Sequence, residues 1–307
     1  MIELSNGHSV DFVAPSGALA FDGRGWPWEW HLRWLRLLDP SLFTIVLKTV
    51  LPEKWPGNLR WSRPFDVVKF ITKEGDKINP LLALAKPSLI EGVVNAIGLT
   101  GPGIDGLLRK DHPTIVRFDY KVVVSITGPN GGEGCVGMVK KLNGLKNVVG
   151  IEFNASCPNT DPLFLENAEM VVKRCKEIKQ ATTLPVWIKL SCAQPYVEIA
   201  KQLERDVEAI SLNAVPWKVI FGDKLSPLAK YGGGGVSGPV AKAYLWAMIS
   251  ELAKKTSIPV IGAGIWNYED IGELEILGAK AHQLGTVFLP YPKKPTKWVK
   301  DWRKERR

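Results

Sequence analysis

The stretch VVGIEFNASCPNTD, residues 148–161, joins an apolar run to a short polar loop that carries a single cysteine, Cys157. The run at 148–154 is rich in β-branched and apolar residues, which is typical of a buried strand. Three interpretations of the loop are open: an ordinary turn built on Pro158 and Asn159, a glycosylation acceptor at Asn154, or a ligand-binding loop with a reactive thiol. The rest of the chain decides among them.

Further apolar runs alternate with amphipathic segments along the whole chain. The predicted strands are 43–50, 93–99, 121–128, 148–154, 184–190, 208–214, 258–264 and 280–286, and the predicted helices include 133–143, 164–179, 194–206, 239–255 and 268–277. Near-continuously apolar strands separated by helices indicate a parallel sheet that is covered on both faces. The sequence therefore predicts an α/β fold, a single-domain (β/α)8 TIM barrel over residues 1–307. We expect a long insertion, 52–89, after the first barrel strand and near the barrel mouth, and a basic tail at 289–307.

The composition, with 45% hydrophobic and 23% charged residues, is that of a globular domain rather than a disordered chain. No apolar run reaches the roughly 18 residues that span a bilayer. The first ten residues show neither the basic region nor the apolar core of a secretory signal, so glycosylation of Asn154 is disfavoured. The cysteines and histidines form no metal-ligand pattern. We therefore expect no metal site, free thiols and a cytoplasmic protein.

The net charge is +9, part of it in the tail. A basic balance suits nucleic acid, an anionic membrane surface or anionic small molecules, but a solvated basic C-terminal helix is the favoured interpretation.

Tryptophans are frequent, and several lie in WPWEWHLRWLRLL, residues 26–38. The helix-like apolar spacing of this segment predicts that most of them are packing residues.

Most of the predicted strands end in a polar residue or a glycine: Lys48-Thr49, Asn95, Ser125, Asn154, Lys189, Asn213, Gly262, Gly264 and Gly285-Thr286. In a (β/α)8 barrel these ends share one rim, where active sites lie, and partly buried polar groups need partners there. Lys189 stands alone in an apolar strand, so its charge requires an anion. It could stabilise negative charge on a reduced flavin ring, or snorkel to solvent instead. The glycines of 231–239, 261–265 and 284–286 predict a phosphate-bearing cofactor.

Five motifs occur in a fixed order: EFNASCPNT, PVWIKLS, GGGGVSGP, PVIGAGI and AHQLGT. Together they resemble the dihydroorotate dehydrogenase family, whose members are FMN-dependent (β/α)8 barrels. APSGALAF, LKTV and NAIGL support the resemblance in the N-terminal half, and it extends roughly from Phe12 to Phe288. The base in this family is cysteine in soluble class 1 members and serine in membrane-associated class 2 members. Cys157 therefore implies a class 1 member.

The resemblance also implies roles for individual residues. Cys157 would remove the proton from C5 of dihydroorotate while hydride passes from C6 to N5 of FMN, and asparagine amides would suit the imide edges of the substrate because they both donate and accept. The implied substrate contacts are Lys48, Asn95, Ile97, Gly98, Leu99, Asn154, Asn159 and Asn213. The implied cofactor contacts are Ser16, Gly17, Lys48, Thr49, Ser125, Asn154, Lys189, Gly235, Gly262, Gly264, Gly285 and Thr286.

Several positions depart from the family pattern. Ala214 stands where a hydroxyl residue is usual after Asn213, and Ile265 replaces the last glycine of a G-x-G-G motif. The loop TDPLFLENAEM lacks the glycines of a mobile lid, and GLTGPG replaces GLQNPG. A lost hydrogen bond is worth about 1 kcal/mol, so the reaction class is more firmly implied than the substrate.

Other functions stay open. A dihydrouracil-type dihydropyrimidine dehydrogenase shares this barrel, a tRNA-dihydrouridine synthase would use the positive charge on phosphates, and a non-catalytic barrel would keep only the fold. The short tail leaves no room for an RNA-binding domain, so we expect neither nucleic acid nor a membrane as partner. NAIGL followed by PGID resembles the class 1B branch, in which a partner subunit carries FAD and an iron–sulfur cluster and passes electrons to NAD. A homodimer core is implied, and a fumarate-using homodimer is the alternative.

Overall fold

The structure is a computed structural model that describes residues 1–60, 62–109, 120–156 and 167–306. The strands in these ranges are β1 Ile2–Glu3, β2 Ser9–Val10, β3 Phe12–Ala14, β4 Thr44–Val46, β5 Val68–Ile71, β6 Lys77–Ile78, β7 Gly92–Asn95, β8 Val122–Ile126, β9 Val148–Asn154, β10 Val186–Leu190, β11 Ala209–Leu212, β12 Val215–Pro216, β13 Gly235–Ser237, β14 Ile261–Gly262 and β15 Ala281–Gln283. Eight of them form a parallel sheet in the order β11-β10-β9-β8-β4-β3-β15-β14. A parallel bridge between Ile210 of β11 and Val260, next to β14, closes the sheet into a (β/α)8 barrel.

Helices follow most of the barrel strands. They are α1 Trp30–Trp34, α2 Pro80–Ala85, α3 Gly103–Leu108, α4 Cys135–Leu142, α5 Ala168–Gln180, α6 Tyr196–Gln202, α7 Trp217–Phe221, α8 Lys242–Lys255, α9 Asp270–Ile276 and α10 Lys294–Glu305, with an irregular turn at Pro129–Gly132. In α5 the Asn167 side chain caps the first turn by accepting from the Met170 amide. Val171, Cys175 and Ile178 lie on the buried face of the same helix at the expected spacing. None of the helices in the described ranges is long and apolar enough to cross a membrane.

Two of the strand predictions were wrong in topology. The first barrel strand is Phe12–Ala14, so the strand predicted at 43–50 is the second one. The segment predicted as a barrel strand at 93–99 instead contains β7, which pairs antiparallel with β5 and β13 outside the barrel. The two errors have different causes. A three-residue strand such as Phe12–Ala14 shows no periodicity, whereas Val93 and Val94 are both buried, so β7 looks like a barrel strand. The excursion from the barrel therefore follows the second strand and extends beyond the predicted 52–89.

A second sheet is assembled within this excursion and the segment after β11. Its five antiparallel strands run in the order β12-β13-β7-β5-β6, and we call it the mouth sheet because several of its residues line the cavity described below. Phe70, Ile71 and Val94 are fully or almost fully buried in it. Two segments far apart in sequence, 68–95 and 215–237, thus meet above one end of the barrel.

The interior of the barrel is layered. The N-terminal hairpin of β1 and β2 places Ile2, Leu4 and Val10 in a cluster with one residue from every barrel strand: Val13, Val46, Val123, Val149, Trp187, Ala209, Ile261 and Ala281. Because side chains two residues apart in a strand share a face, the next inward positions on four of these strands are polar. They form, with Glu152 of β9, what we call the polar layer: Ser125, Glu152, Lys189, Ser211 and Gln283, all buried.

The expectation for the tryptophans holds only in part. Trp26 is buried, whereas Trp30 is 57% and Trp34 is 85% exposed.

The basic tail does form a helix, α10, which buries Trp298 and Val299. Its Arg303 donates two hydrogen bonds to Asp11, at 2.8 and 2.9 Å, so the helix is fixed against the barrel.

Candidate active site

One cavity of about 1290 Å³ lies between the carboxyl ends of the barrel strands and the mouth sheet. Most of the residues that the sequence predicted for the site line it: Ser16, Gly17, Lys48, Thr49, Asn95, Ile97, Gly98, Leu99, Asn154, Lys189, Asn213, Gly235, Gly264, Gly285 and Thr286. Ser125 and Gly262 are not among the lining residues. Cys157 and Asn159 lie outside the described residues. The volume exceeds the roughly 300–1,000 Å³ of an ordinary ligand pocket, which leaves room for a cofactor and a substrate together.

A chain of hydroxyl and amide groups connects the ends of four barrel strands, β3, β4, β8 and β9, at the rim. The Thr49 hydroxyl lies 3.0 Å from that of Ser16 and 2.9 Å from that of Ser125. The Asn154 amide donates to the same Thr49 oxygen at 3.1 Å. Ser125 is fully buried, so it supports the cavity wall through Thr49 rather than forming it.

The residue next to Cys157 is held firmly. The Asn154 amide oxygen accepts from the Ser156 hydroxyl at 2.7 Å and from the Ser156 amide at 3.3 Å. Asn213 donates to the Ser156 carbonyl at 3.3 Å. Ser156 is 1% exposed and lines the cavity. Ser156, the first residue of the SCPN motif (156–159), is therefore fixed at the cavity wall directly before Cys157.

The buried charge of Lys189 has a partner inside the protein. Its ammonium donates to Glu152 at 2.8 Å, and the second oxygen of this carboxylate accepts from the Ser211 hydroxyl at 2.7 Å. Lys189 is 4% exposed, which excludes the snorkelling alternative. The anion that the sequence required is thus Glu152, which sequence reasoning missed. The available signal was a carboxylate two residues before Asn154, on the same strand face.

Another part of the cavity wall has the features of a phosphate cradle. Gly235, Gly264 and Gly285 line it and contribute backbone atoms only, and Thr286 adds a hydroxyl. A Cβ on Gly264, whose φ is +86°, would lie 3.2 Å from Trp246 Nε1. Gln283 Oε1 is buried there without a hydrogen-bond partner in the described residues. Backbone groups and a hydroxyl suit a phosphate. The Gln283 amide nitrogen donates to the Leu212 carbonyl at 2.9 Å, and its oxygen can only accept, so it suits a hydroxyl or N–H group of a phosphate-bearing flavin. Ile265, the departure from the glycine motif, packs into the main core.

An apolar arm of the cavity extends along α1 and the mouth sheet. It is lined by Trp26, Leu32, Phe65, Phe70 and Leu84. Glu29 also lines it, and its carboxylate accepts from the Trp26 amide at 2.8 Å. Burial raises the pKa of Glu29 from 4.5 to about 7. No sequence signal indicated this residue, because its burial depends on the contact of α1 with distant segments.

The other cysteines do not provide an alternative thiol at the site. Cys135, Cys175 and Cys192 are free, and Cys135 and Cys175 are fully buried among core residues. Burial raises the pKa of Cys135 to about 12 and raises that of Cys175 further. A thiol with a raised pKa is a poor nucleophile or base. None of the three lines the cavity.

The closed parallel barrel with a polar rim at the carboxyl ends of its strands defines a (β/α)8-barrel enzyme. The family model of dihydroorotate dehydrogenase matches residues 65–301. The catalytic subunit of dihydroorotate dehydrogenase B (NAD(+)) from Caldicellulosiruptor bescii is 34% identical over 248 residues, 76% of this chain and 81% of that protein. The subunit of the same name from Thermoanaerobacter pseudethanolicus is 34% identical over 226 residues, 70% of this chain and 74% of its own. The chain belongs to the dihydroorotate dehydrogenase family, and it is therefore an oxidoreductase.

The fold has a solved counterpart. The crystal structure of a ligand-free dihydroorotate dehydrogenase from Eimeria tenella aligns with a TM-score of 0.62 over 94% of this chain and 82% of that one. The identity is 17%, so this likeness concerns the fold alone.

Proposed function

We propose that the protein oxidises dihydroorotate to orotate, a step of pyrimidine biosynthesis. The observation that carries this proposal is the convergence of Asn154, Asn213 and Lys189 on one cavity, with Ser156, the residue before Cys157, held at its wall. The reaction removes a proton from C5 and a hydride from C6 of the ring. Bound FMN supplies the hydride acceptor.

Cys157 is the proposed base for the C5 proton, on the strength of its motif and of the fixed position of its neighbour. Ser156 is held by both Asn154 and Asn213, so the residue before the proposed base is fixed at the cavity wall. Proton transfer requires the base within hydrogen-bond reach of the proton it takes. A rigid approach to Cys157 therefore serves the reaction directly.

The asparagines and a short turn would bind the substrate. Asn95, Asn154 and Asn213 line the cavity, and Asn159 would join them from the SCPN loop. Each amide can donate to a ring carbonyl and accept from a ring N–H. Gly98 and Leu99 have φ values of +69° and +59°, so the backbone turns sharply at the cavity wall where the substrate carboxylate would bind to Ile97–Leu99.

FMN is the cofactor that fits the remaining space. Ser16, Gly17, Lys48 and Thr49 would approach its ring system, and Lys189 would lie at its pyrimidine end. Gly235, Gly264, Gly285 and Thr286 would hold the phosphate. Ser125 would act through Thr49, its hydrogen-bond partner at 2.9 Å. For Gly262 the contact would be indirect, through the following residues Ala263 and Gly264, which line the cavity.

The electron acceptor and assembly follow the class 1B pattern in this proposal. The relatives from Caldicellulosiruptor bescii and Thermoanaerobacter pseudethanolicus are named catalytic subunits of dihydroorotate dehydrogenase B (NAD(+)), which implies a separate electron-transfer subunit. We propose a cytoplasmic homodimeric core of single-domain chains, with a partner subunit that carries FAD and an iron–sulfur cluster and reduces NAD. Fumarate as direct acceptor is the alternative.

Anaerobic titration of the purified protein tests the proposed reaction. The visible spectrum of the bound flavin is recorded while dihydroorotate, and separately dihydrouracil, is added to the wild type and to Cys157→Ala. Bleaching by dihydroorotate that is strongly slowed in Cys157→Ala is the expected result. Bleaching by dihydrouracil alone would mean that Ala214 has changed the substrate, and a protein that takes up no FMN would overturn the proposal.

A further inference from the structure

Lys189 belongs to a closed unit of three side chains on three neighbouring strands. Its ammonium donates to Glu152 at 2.8 Å, and Ser211 donates to the other oxygen of the same carboxylate at 2.7 Å. The side chains of Lys189 and Glu152 are 5% and 1% exposed, and Ser211 is 1% exposed. Strands β9, β10 and β11 thus each contribute one member, and both carboxylate oxygens are occupied.

The unit is asymmetric with respect to the cavity. Lys189 lines the cavity wall, whereas Glu152 and Ser211 do not. The ion pair is therefore a fixed dipole with its positive end at the cavity and its negative end behind it. In such a buried setting charges are weakly screened, so the carboxylate reduces the positive potential that Lys189 presents to a bound molecule.

We propose that Glu152 is a positioning residue that, supported by Ser211, fixes the Lys189 ammonium at the wall and limits the positive charge which the cofactor meets. The inference rests on the proposed function, in which FMN occupies this cavity. Reduction adds negative charge to the flavin, and a nearby cation favours the charged form. Glu152 therefore keeps the reduction potential of the bound flavin lower than an ammonium without a carboxylate would set it.

A purely structural role for Glu152 makes a different prediction. Loss of a structural ion pair would lower the stability of the protein and weaken oxidised and reduced FMN alike. Loss of the charge balance would instead change the ratio of the two affinities. This ratio sets the difference between the midpoint potentials of bound and free FMN, which can be measured without turnover.

The test measures the flavin midpoint potential against reference dyes under anaerobic conditions, together with the dissociation constant of FMN. The variants are Glu152→Gln, Glu152→Asp, Lys189→Met and the double variant Glu152→Gln/Lys189→Met. Asp270→Asn is the matched control, because Asp270 is also a buried partner of a lysine, Lys242, at 2.6 Å, and neither residue lines the cavity.

We expect Glu152→Gln to favour reduced over oxidised FMN by about tenfold, which for a two-electron couple is an upward shift of about 30 mV. Glu152→Asp, which keeps the charge but retracts it, gives a smaller shift in the same direction and remains informative if Glu152→Gln does not fold. In the Lys189→Met background the additional Glu152→Gln change gives a shift that differs in size from the one in the wild type, because the ammonium that Glu152 positions is gone. Asp270→Asn leaves the potential unchanged.

Two results would overturn the inference while leaving the proposed function standing. One is a wild type that binds FMN and is reduced by dihydroorotate, with potentials of Glu152→Gln and Glu152→Asp equal to that of the wild type. The other is a shift of the same size in the Lys189→Met background, because Glu152 would then act without Lys189. A wild type that binds no FMN would overturn the inference and the proposed function together.

Discussion

The barrel rim and the mouth sheet enclose the same cavity from opposite sides and are built on different principles. Inside the barrel, polar and charged side chains are buried and paired, as in the Lys189–Glu152–Ser211 unit. Around the mouth, large apolar side chains of α1 and α2 face solvent, among them Trp34 at 85% and Leu81 at 79% exposure. The barrel fixes chemical groups through its regular strand geometry, whereas the mouth region supplies an apolar enclosure from segments distant in sequence.

The largest effect on the unfolding free energy is expected from removal of the buried charge of Lys189 at the rim. Lys189→Met leaves the Glu152 carboxylate buried without its cation, which costs about 3–5 kcal/mol. We expect urea unfolding of this variant to show a loss of that size, and the dissociation constant of FMN to rise without loss of the site. Adding Glu152→Gln removes the stranded charge, so the double variant should regain most of the stability. Equal stability of the single and double variants would contradict a charge-based origin.

The stability of the mouth region, by which we mean the mouth sheet together with α1 and α2, should depend on pH. Burial raises the pKa of Glu29 from 4.5 to about 7, so folding favours the protonated form. The resulting stability is fully present below pH 4.5 and is lost as the pH rises through about 7, a contribution on the order of 3 kcal/mol. The check is the unfolding free energy of the wild type minus that of Glu29→Gln across pH 4–8. A difference that does not fall with pH would show that Glu29 is not held in a buried site.

The glycines of the phosphate cradle should tolerate few substitutions. Gly264 has a φ of +86°, and alanine there would cost about 1–2 kcal/mol for the left-handed conformation alone. Its Cβ would also meet Trp246 Nε1 at 3.2 Å, so we expect weaker FMN binding. Gly137 in α4 has nothing within 4 Å of an added Cβ. Gly137→Ala should therefore stabilise the protein by roughly 0.5–1 kcal/mol and leave FMN binding unchanged. Equal FMN affinities of Gly264→Ala and Gly137→Ala would show that Gly264 does not contact the cofactor.

The smallest effect is expected on the outer surface of the mouth region. Trp34 is 85% exposed, so Trp34→Ser should change the unfolding free energy by no more than about 0.5 kcal/mol. Thermal and urea unfolding of the isolated chain measure this. A loss above about 1 kcal/mol would mean that Trp34 packs against the protein and that the contrast between rim and mouth is smaller than described.

The same contrast explains what could be predicted from the sequence. Seven of the barrel strands were predicted at or near their positions, since long apolar runs and strand alternation are local properties. The polar strand ends at Asn154, Lys189 and Asn213 located the cavity for the same reason. Phe12–Ala14 was missed because three residues carry no periodic signal. The mouth sheet was missed because its antiparallel pairs join distant segments, and the roles of Glu152 and Glu29 depend on contacts that no local pattern records.

The measurement that tests the central claim most directly is single-turnover bleaching of the bound flavin by dihydroorotate deuterated at C6, under anaerobic conditions. If hydride passes from C6 of dihydroorotate to the flavin bound in the cavity, bleaching will be slower with the deuterated substrate than with the unlabelled one. Bleaching at the same rate with both substrates, or no bleaching by either, would contradict the proposed reaction.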